Sequence, residues 1–175
     1  MKPLLTAEQL QITIERLTHQ LIENHDDFSN TAIIGLQPRG IFLSDRIAGR
    51  LNDLLPNNKM SYGKLDITFY RDDFNTSDQL HIPEETDIDF SLDGKKIILI
   101  DDVLYTGRTI RAGLDAILDF GRPDSVELLV LVDRRFSREL PIQPDYIGIN
   151  VDSVDRQKVK VLWKENDSRD EVVLV

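Results

Sequence analysis

At 175 residues, with 41% hydrophobic and 30% charged side chains, the chain has the size and composition of one globular domain, and a domain of that size buries about 70% of its unfolded surface. Asp plus Glu is 31 and Lys plus Arg is 21, so the net charge of −10 works against loose, whole-surface binding to phosphate backbones or anionic lipid, although a local basic patch stays allowed. The chain has no cysteine, which excludes disulfides, thiolate nucleophiles and every cysteine-containing zinc site.

The longest aliphatic run, residues 128–132, falls far short of the roughly 18 residues that span a bilayer, so no membrane partner is expected. The N-terminus turns polar at Glu8 and Gln9 without the apolar core and small-residue cleavage site of a secretory signal, and the expected address is cytoplasmic. Thr6 and Gln9 have capping-box spacing, and Leu10, Ile14, Leu17 and Leu21 follow on one helical stripe. That helix carries Arg16 and His19 on its far face, a solvated pair by default.

Residues 31–36 read as a short buried strand, followed by the turn Gln37, Pro38, Arg39 and Gly40 and a helix through Leu43, Ile47 and Leu51. Residues 64–70 alternate as a two-faced strand would. Residues 71–93 then hold eight acids, one arginine and no helical period, which predicts a flexible loop or a hairpin arm. Residues 97–100 read as a strand buried on both faces, and a helix through Ile110, Leu114, Ile117 and Leu118 stops at Gly121, before Pro123. Residues 126–132 form another buried strand, and the tail from Tyr146 to Val175 reads as short extended pieces. Strand and helix alternate through the middle, so the expected class is α/β, a parallel sheet wrapped by helices.

The chemistry concentrates at residues 97–109, IILIDDVLYTGRT, which pass from a buried strand through a turn into a helix. Ligands of open parallel sheets bind at the carboxyl ends of strands, where Asp101 and Asp102 stand. The turn and helix start at Thr106, Gly107, Arg108 and Thr109 suit a phosphate through backbone N–H groups and hydroxyls, whereas two carboxylates repel one and accept from hydroxyls instead. A ligand with a phosphate on one side and a diol on the other, such as a ribose 5-phosphate, satisfies both halves. On spacing alone the bland reading stays open, that these residues only end a strand and cap a helix. Neither GxxxxGK[ST] nor GxGxxG occurs, there is no GxSxG or HExxH, and His19, His25 and His81 lack metal spacing.

That 13-residue segment resembles the signature of type I phosphoribosyltransferases. The resemblance implies their fold, a mostly parallel central sheet flanked by helices with a small hood and a flexible arm. It makes residues 1–175 a single domain, with 71–93 as the arm and 133–175 contributing the base-side loop and tail. It also implies that Asp101 and Asp102 meet the ribose hydroxyls of 5-phosphoribosyl 1-pyrophosphate (PRPP). Val103, Leu104, Tyr105, Thr106, Gly107, Arg108 and Thr109 would hold its 5-phosphate. Segments at 66–73, 101–113, 121–123, 131–134, 138–142 and 145–148 are similar to the PyrR group, uracil phosphoribosyltransferases that also regulate pyrimidine operons through messenger RNA.

Carried onto this chain, the group's activity joins uracil to PRPP with Mg²⁺, giving uridine monophosphate (UMP) and pyrophosphate. Arg39, with the amides of Gln37, Pro38's neighbours and Gly40, would clamp the pyrophosphate. Arg71 would belong to a lid, Arg134 to the base side, and Asp133 would hold a magnesium-bound water, or else serve as an ordinary strand-end turn aspartate. Arg16 and His19 match helix positions used by the regulatory members to bind pyrimidine leader mRNA, and a homo-oligomer, a dimer or larger, is implied.

Three departures stand out. The pyrophosphate loop is Gln37, Pro38, Arg39, Gly40 where the group often has Lys-Thr-Arg-Gly, one positive charge fewer. The family's cis peptide in this loop falls either at the bond to Pro38 or one residue earlier, at Gln37. The base-side loop 133–141 is one residue longer than the group's pattern, and Ile149 stands where a lysine is expected. Two other readings therefore accompany the first: a nucleotide-sensing, RNA-binding attenuator with weak catalysis, and a phosphoribosyltransferase for another nucleobase.

Overall fold

A computed structural model describes residues 1–72, 82–153 and 157–175. In chain order it contains β1 (Lys2–Leu5), α1 (Ala7–His25), β2 (Thr31–Leu36), α2 (Gly40–Leu54), β3 (Ser61–Leu65), β4 (Lys96–Leu104), α3 (Arg108–Ile117), β5 (Ser125–Arg135), β6 (Tyr146–Asp152), β7 (Val159–Leu162), α4 (Lys164–Asp167) and β8 (Glu171–Leu174). Five strands pair in parallel in the order β3-β2-β4-β5-β6. The sheet carries helices on both faces, which explains why residues 32–36 of β2 and 97–100 of β4 are continuously apolar rather than alternating.

The two faces draw on alternate residues of the same strands. Ile33, Ile98, Ile100, Leu129 and Leu131 pack with α1 and α2, whereas Ala32, Ile34, Ile97, Leu99 and Val130 pack with α3. The predicted capping box closes on both sides: the Thr6 hydroxyl accepts from Gln9 N at 3.3 Å and Gln9 Oε1 accepts from Thr6 N at 2.9 Å. Leu10, Ile14, Leu17 and Leu21 are the buried stripe of α1.

A small antiparallel sheet, β1-β8-β7, forms a hood at the edge of this core. Trp163 anchors it: the side chain is fully buried, with its ring 6.3 Å from that of Phe42 and the Arg46 guanidinium 4.8 Å above it. Arg46 in turn bonds Glu165 and Asp170, each at 2.7 Å, so one residue of α2 fastens both α4 and the turn that leads into β8.

Several boundaries differ from the sequence reading. The expected strand over 64–70 ends at Leu65, because the Asp66 carboxylate accepts from Thr68 N at 3.1 Å and from the Thr68 hydroxyl at 2.7 Å and turns residues 68–70 into a single 3₁₀ turn. β4 runs on through Asp101, Asp102, Val103 and Leu104, so the last two are strand rather than turn residues, held by parallel pairing of Val103 with Val132 and Leu104 with Asp133. β5 likewise continues through Asp133 and Arg134, which pair with Asn150 and Val151 of β6. In the expected arm, residues 73–81 lie outside the described residues. The following stretch makes an isolated antiparallel bridge, Asp87 to Lys64, along the outer side of β3. Among the described residues no helix is long and apolar enough to cross a membrane.

Candidate functional site

Parallel register brings three strand ends together: the turn after β2, the two acids of β4 and Asp133 of β5. Gly40 opens α2 directly against β4. A Cβ there would stand 2.7 Å from the Ile100 carbonyl oxygen and 3.1 Å from Asp101 Oδ1, so glycine is what allows the 37–40 turn to reach the acids. The Gln37–Pro38 peptide is the cis bond, which settles the alternative left open by the sequence.

Asp101 and Asp102 are each 8% exposed, with Asp101 Oδ1 accepting from Asp102 N at 2.9 Å. Burial pushes both carboxyls above the ordinary carboxylate range, but their surroundings differ. For Asp101 the charge of Asp102 adds to burial, against opposing pulls from its own neighbour's N–H, Arg71 and Arg39, and it sits well above that range. For Asp102, burial is opposed by the Arg39 guanidinium, whose Nε lies 3.4 Å from Oδ2, by the Val103 N–H and by the Trp163 indole. The indole nitrogen is buried and faces this acid without closing a well-formed hydrogen bond.

A raised carboxyl pKa means that the folded chain binds more protons than the unfolded one between the ordinary value and the native value. Stability therefore falls as pH rises through that window. Asp101→Asn is accordingly expected to melt higher than wild type at neutral pH, with the gap closing by about pH 4. Thermal melts of the ligand-free protein from acid to neutral pH check this, and a gap independent of pH would contradict it.

Arg39 is a shared group. Its Nη2 donates to the Val161 carbonyl at 2.5 Å and to Asp167 Oδ2 at 3.3 Å, both in the hood, while Nε faces Asp102. Asp167, which also accepts from Trp163 N at 3.0 Å, is held below the usual carboxylate range, by that backbone bond first and by Arg39 in addition. A cavity of about 470 Å³ lies between the end of β4 and the hood, with Arg39, Asp102, Lys160 and Asp167 among its walls.

On the other side of the acids, Gly107 takes φ +93° and starts α3 with no side-chain cap. That leaves the first-turn N–H groups of α3 without a side-chain cap, and among the described residues only Thr106 Oγ1 accepts from one of them, Arg108 N, at 3.3 Å. The base-side loop is fastened to this turn. Glu139 N and Leu140 N both donate to the Thr106 carbonyl, Arg138 Nη1 donates to the Tyr105 carbonyl at 2.5 Å, and Arg108 bonds Glu139 and Asp72, each at 2.5 Å.

The structure thus assembles Arg39, Gly40, Asp101, Asp102 and the 105–109 turn, with Arg71 close enough to act on Asp101. Gln37 is buried, and its side-chain amide donates to Glu84 at 3.2 Å. Arg134 is 5% exposed and acts as a brace: it bonds Ser153 Oγ at 3.0 Å and the Gln157 carbonyl at 2.8 Å and lies 3.9 Å above the Tyr105 ring. Asp133 accepts from Arg138 Nη2 at 2.6 Å, so its charge is already matched. Arg16 is spent on the Ile147 and Gly148 carbonyls of β6, at 3.3 and 2.6 Å, and His19 is exposed, 4.0 Å from Glu15. Neither touches the acids. Sequence reasoning missed Trp163, Asp167, Lys160 and Arg138; the tail's short extended pieces carry no local signal that they fold back onto residue 39.

The chain matches the family described as "Phosphoribosyl transferase domain" over residues 2–166. It is 45% identical over 174 residues to the "Bifunctional protein PyrR" of Picosynechococcus sp., covering 98% of this chain and 96% of that protein. To the protein of the same name from Deinococcus radiodurans it is 44% identical over 171 residues, covering 98% and 92%. Among solved structures, a Trypanosoma cruzi hypoxanthine phosphoribosyl transferase superposes with a TM-score of 0.74 at 17% identity, covering 99% of this chain and 90% of that one. A Staphylococcus aureus hypoxanthine phosphoribosyltransferase gives 0.67 at 20% identity, covering 87% and 80%. At such identities the structural matches speak for the fold.

Proposed function

The chain belongs to the phosphoribosyl transferase domain family, and from that membership we propose that it transfers the 5-phosphoribosyl group of PRPP to uracil, releasing pyrophosphate and forming UMP. The observation that carries this reading is the pairing of two buried acids at the end of β4 with an uncapped helix start six residues further on. One half accepts from a diol and the other donates to a phosphate. Asp101 and Asp102 orient the ribose through its hydroxyls, the 105–109 turn holds the 5-phosphate, and Arg39 and the Gly40 amide take the pyrophosphate as the bond to C1 breaks. Arg71, close to Asp101, shields the oxocarbenium-like centre from water.

Among the described residues no three acids or histidines converge to cage a metal. The buried Asp101 and Asp102 carboxylates are hard oxygen donors at the place where the donor would lie; they would help to hold Mg²⁺, which would supply charge neutralisation for the pyrophosphate. Asp133, through water, would share its carboxylate with Arg138. The family implies a homo-oligomer, a dimer or larger.

A base-by-base panel tests the reading. Purified protein with Mg²⁺ and PRPP is expected to release pyrophosphate with uracil and not with purines. Release with a purine instead would reassign the base, and release with none would leave the sensor reading in front. Regulation through pyrimidine leader mRNA is the second reading. It is favoured by Phe136, 83% exposed on the base-side loop, an aromatic face of the kind on which unstacked RNA bases stack; the Arg135 guanidinium, 5.5 Å from that ring, is bound by Asp152 at 2.7 and 2.8 Å. A gel shift with pyrimidine leader transcripts tests that half.

A further inference from the structure

We propose that Lys160 is a substrate-binding residue whose ammonium group meets the pyrophosphate across the cavity from Arg39. The inference rests on the donor reading above and deepens it. The 37–40 turn brings a single cation, Arg39, to that cavity. Its guanidinium is already drawn to Asp102, Asp167 and the Val161 carbonyl. Two acids against one arginine leave the charged groups of these walls at −1, an environment that repels an anion. Among the described residues Lys160, on β7, is the other cation lining the cavity, and it brings their charges to neutrality.

The topology explains why this lysine is placed there. Among the described residues β7 pairs with β8 alone, so its other edge joins no further strand. Lys158 exchanges both backbone bonds with Val175, and Lys160 pairs with Val173 two residues on, so the backbone groups of residues 158, 160 and 162 are turned toward β8. Those of Val159 and Val161 point the opposite way, and the Val161 carbonyl taken by Arg39 lies on that side. The wall therefore offers strand-edge amides beside the Lys160 side chain, which is exposed and makes no ion pair among the described residues. An exposed, unpaired ammonium loses little on meeting an anion, because no existing partner has to be given up.

The rival is a lysine that is merely solvated, and its removal would change nothing specific. Calorimetry with inorganic pyrophosphate and Mg²⁺ separates the two, using the wild type, Lys160→Met, Lys160→Arg and Lys2→Met. The last removes the same charge from β1 of the hood. Lys160→Met is expected to weaken pyrophosphate binding about tenfold at low salt, with Lys160→Arg and Lys2→Met both within about twofold of wild type. In steady state the KM for PRPP should rise with the KM for uracil unmoved. Binding by Lys160→Met within twofold of wild type, or an equal loss in Lys2→Met, overturns the proposal while leaving the donor reading intact. A wild type that binds no pyrophosphate removes the donor reading and this proposal with it.

Discussion

Asp102→Asn is expected to lower kcat/KM for phosphoribosyl transfer by about a hundred- to a thousandfold, the range seen when one preorganised polar contact to the reacting group is removed. The substitution keeps the volume of a side chain that is only 8% exposed and removes a charge that burial already disfavours. Folding should survive, and the melting temperature should stay level or rise. What is lost is the strong acceptor for a ribose hydroxyl and the anion that draws Arg39 Nε toward the end of β4. Arg39 would then be left with Asp167 and Val161, both in the hood, and would be displaced from the sugar. Steady-state kinetics with PRPP and uracil, paired with thermal melts, check this. Activity within tenfold of wild type would show that the diol is held elsewhere.

The second large effect concerns the hood. Trp163→Ala is expected to cost about 3–5 kcal/mol of folding stability, as for other fully buried large aromatics cut to alanine. The indole fills the junction between α2 and the hood, against Phe42 and beneath Arg46. Its removal opens a cavity and takes away the surface on which Arg46 rests while bonding Glu165 and Asp170. Urea denaturation measures the loss, and a cost under about 1 kcal/mol would mean that the hood is held by its ion pairs instead. Trp163→Phe, which keeps most of the volume and deletes the N–H facing Asp102, should retain most of the stability. Its effect belongs to the site, because Asp102 loses one of the groups that oppose the rise in its pKa.

The parts of the molecule legible in the sequence are those whose signals are local. The capping box at Thr6, the stripe from Leu10 to Leu21, and the helix-stop signals at Gly121 and Pro123 each depend on neighbours a few residues away, and each appears in the structure or within a residue or two of it. The acids and the phosphate turn were visible for the same reason, since a strand end running into a helix start is one continuous segment. The expected ends of β4 and β5 came out too short because alternation and apolar runs cannot see parallel pairing. Asp101, Asp102 and Asp133 look like loop residues on their own, and only the neighbouring strands keep them in the sheet.

The sequence by itself determined the α/β architecture, the family resemblance and the strand-turn-helix segment proposed to bind a phosphorylated sugar, because periodicity, capping and the order of residues along one turn are short-range properties. Tertiary structure alone decided what Arg39 faces, since its partner Asp167 is 128 residues away. It also decided that Arg134 braces Tyr105 against the segment after β6, that Asp133 is matched by Arg138, and that Lys160 lines the cavity beside the acids. Closing such distances costs chain entropy that only a folded core offsets, so no pattern read along the chain could have announced those contacts.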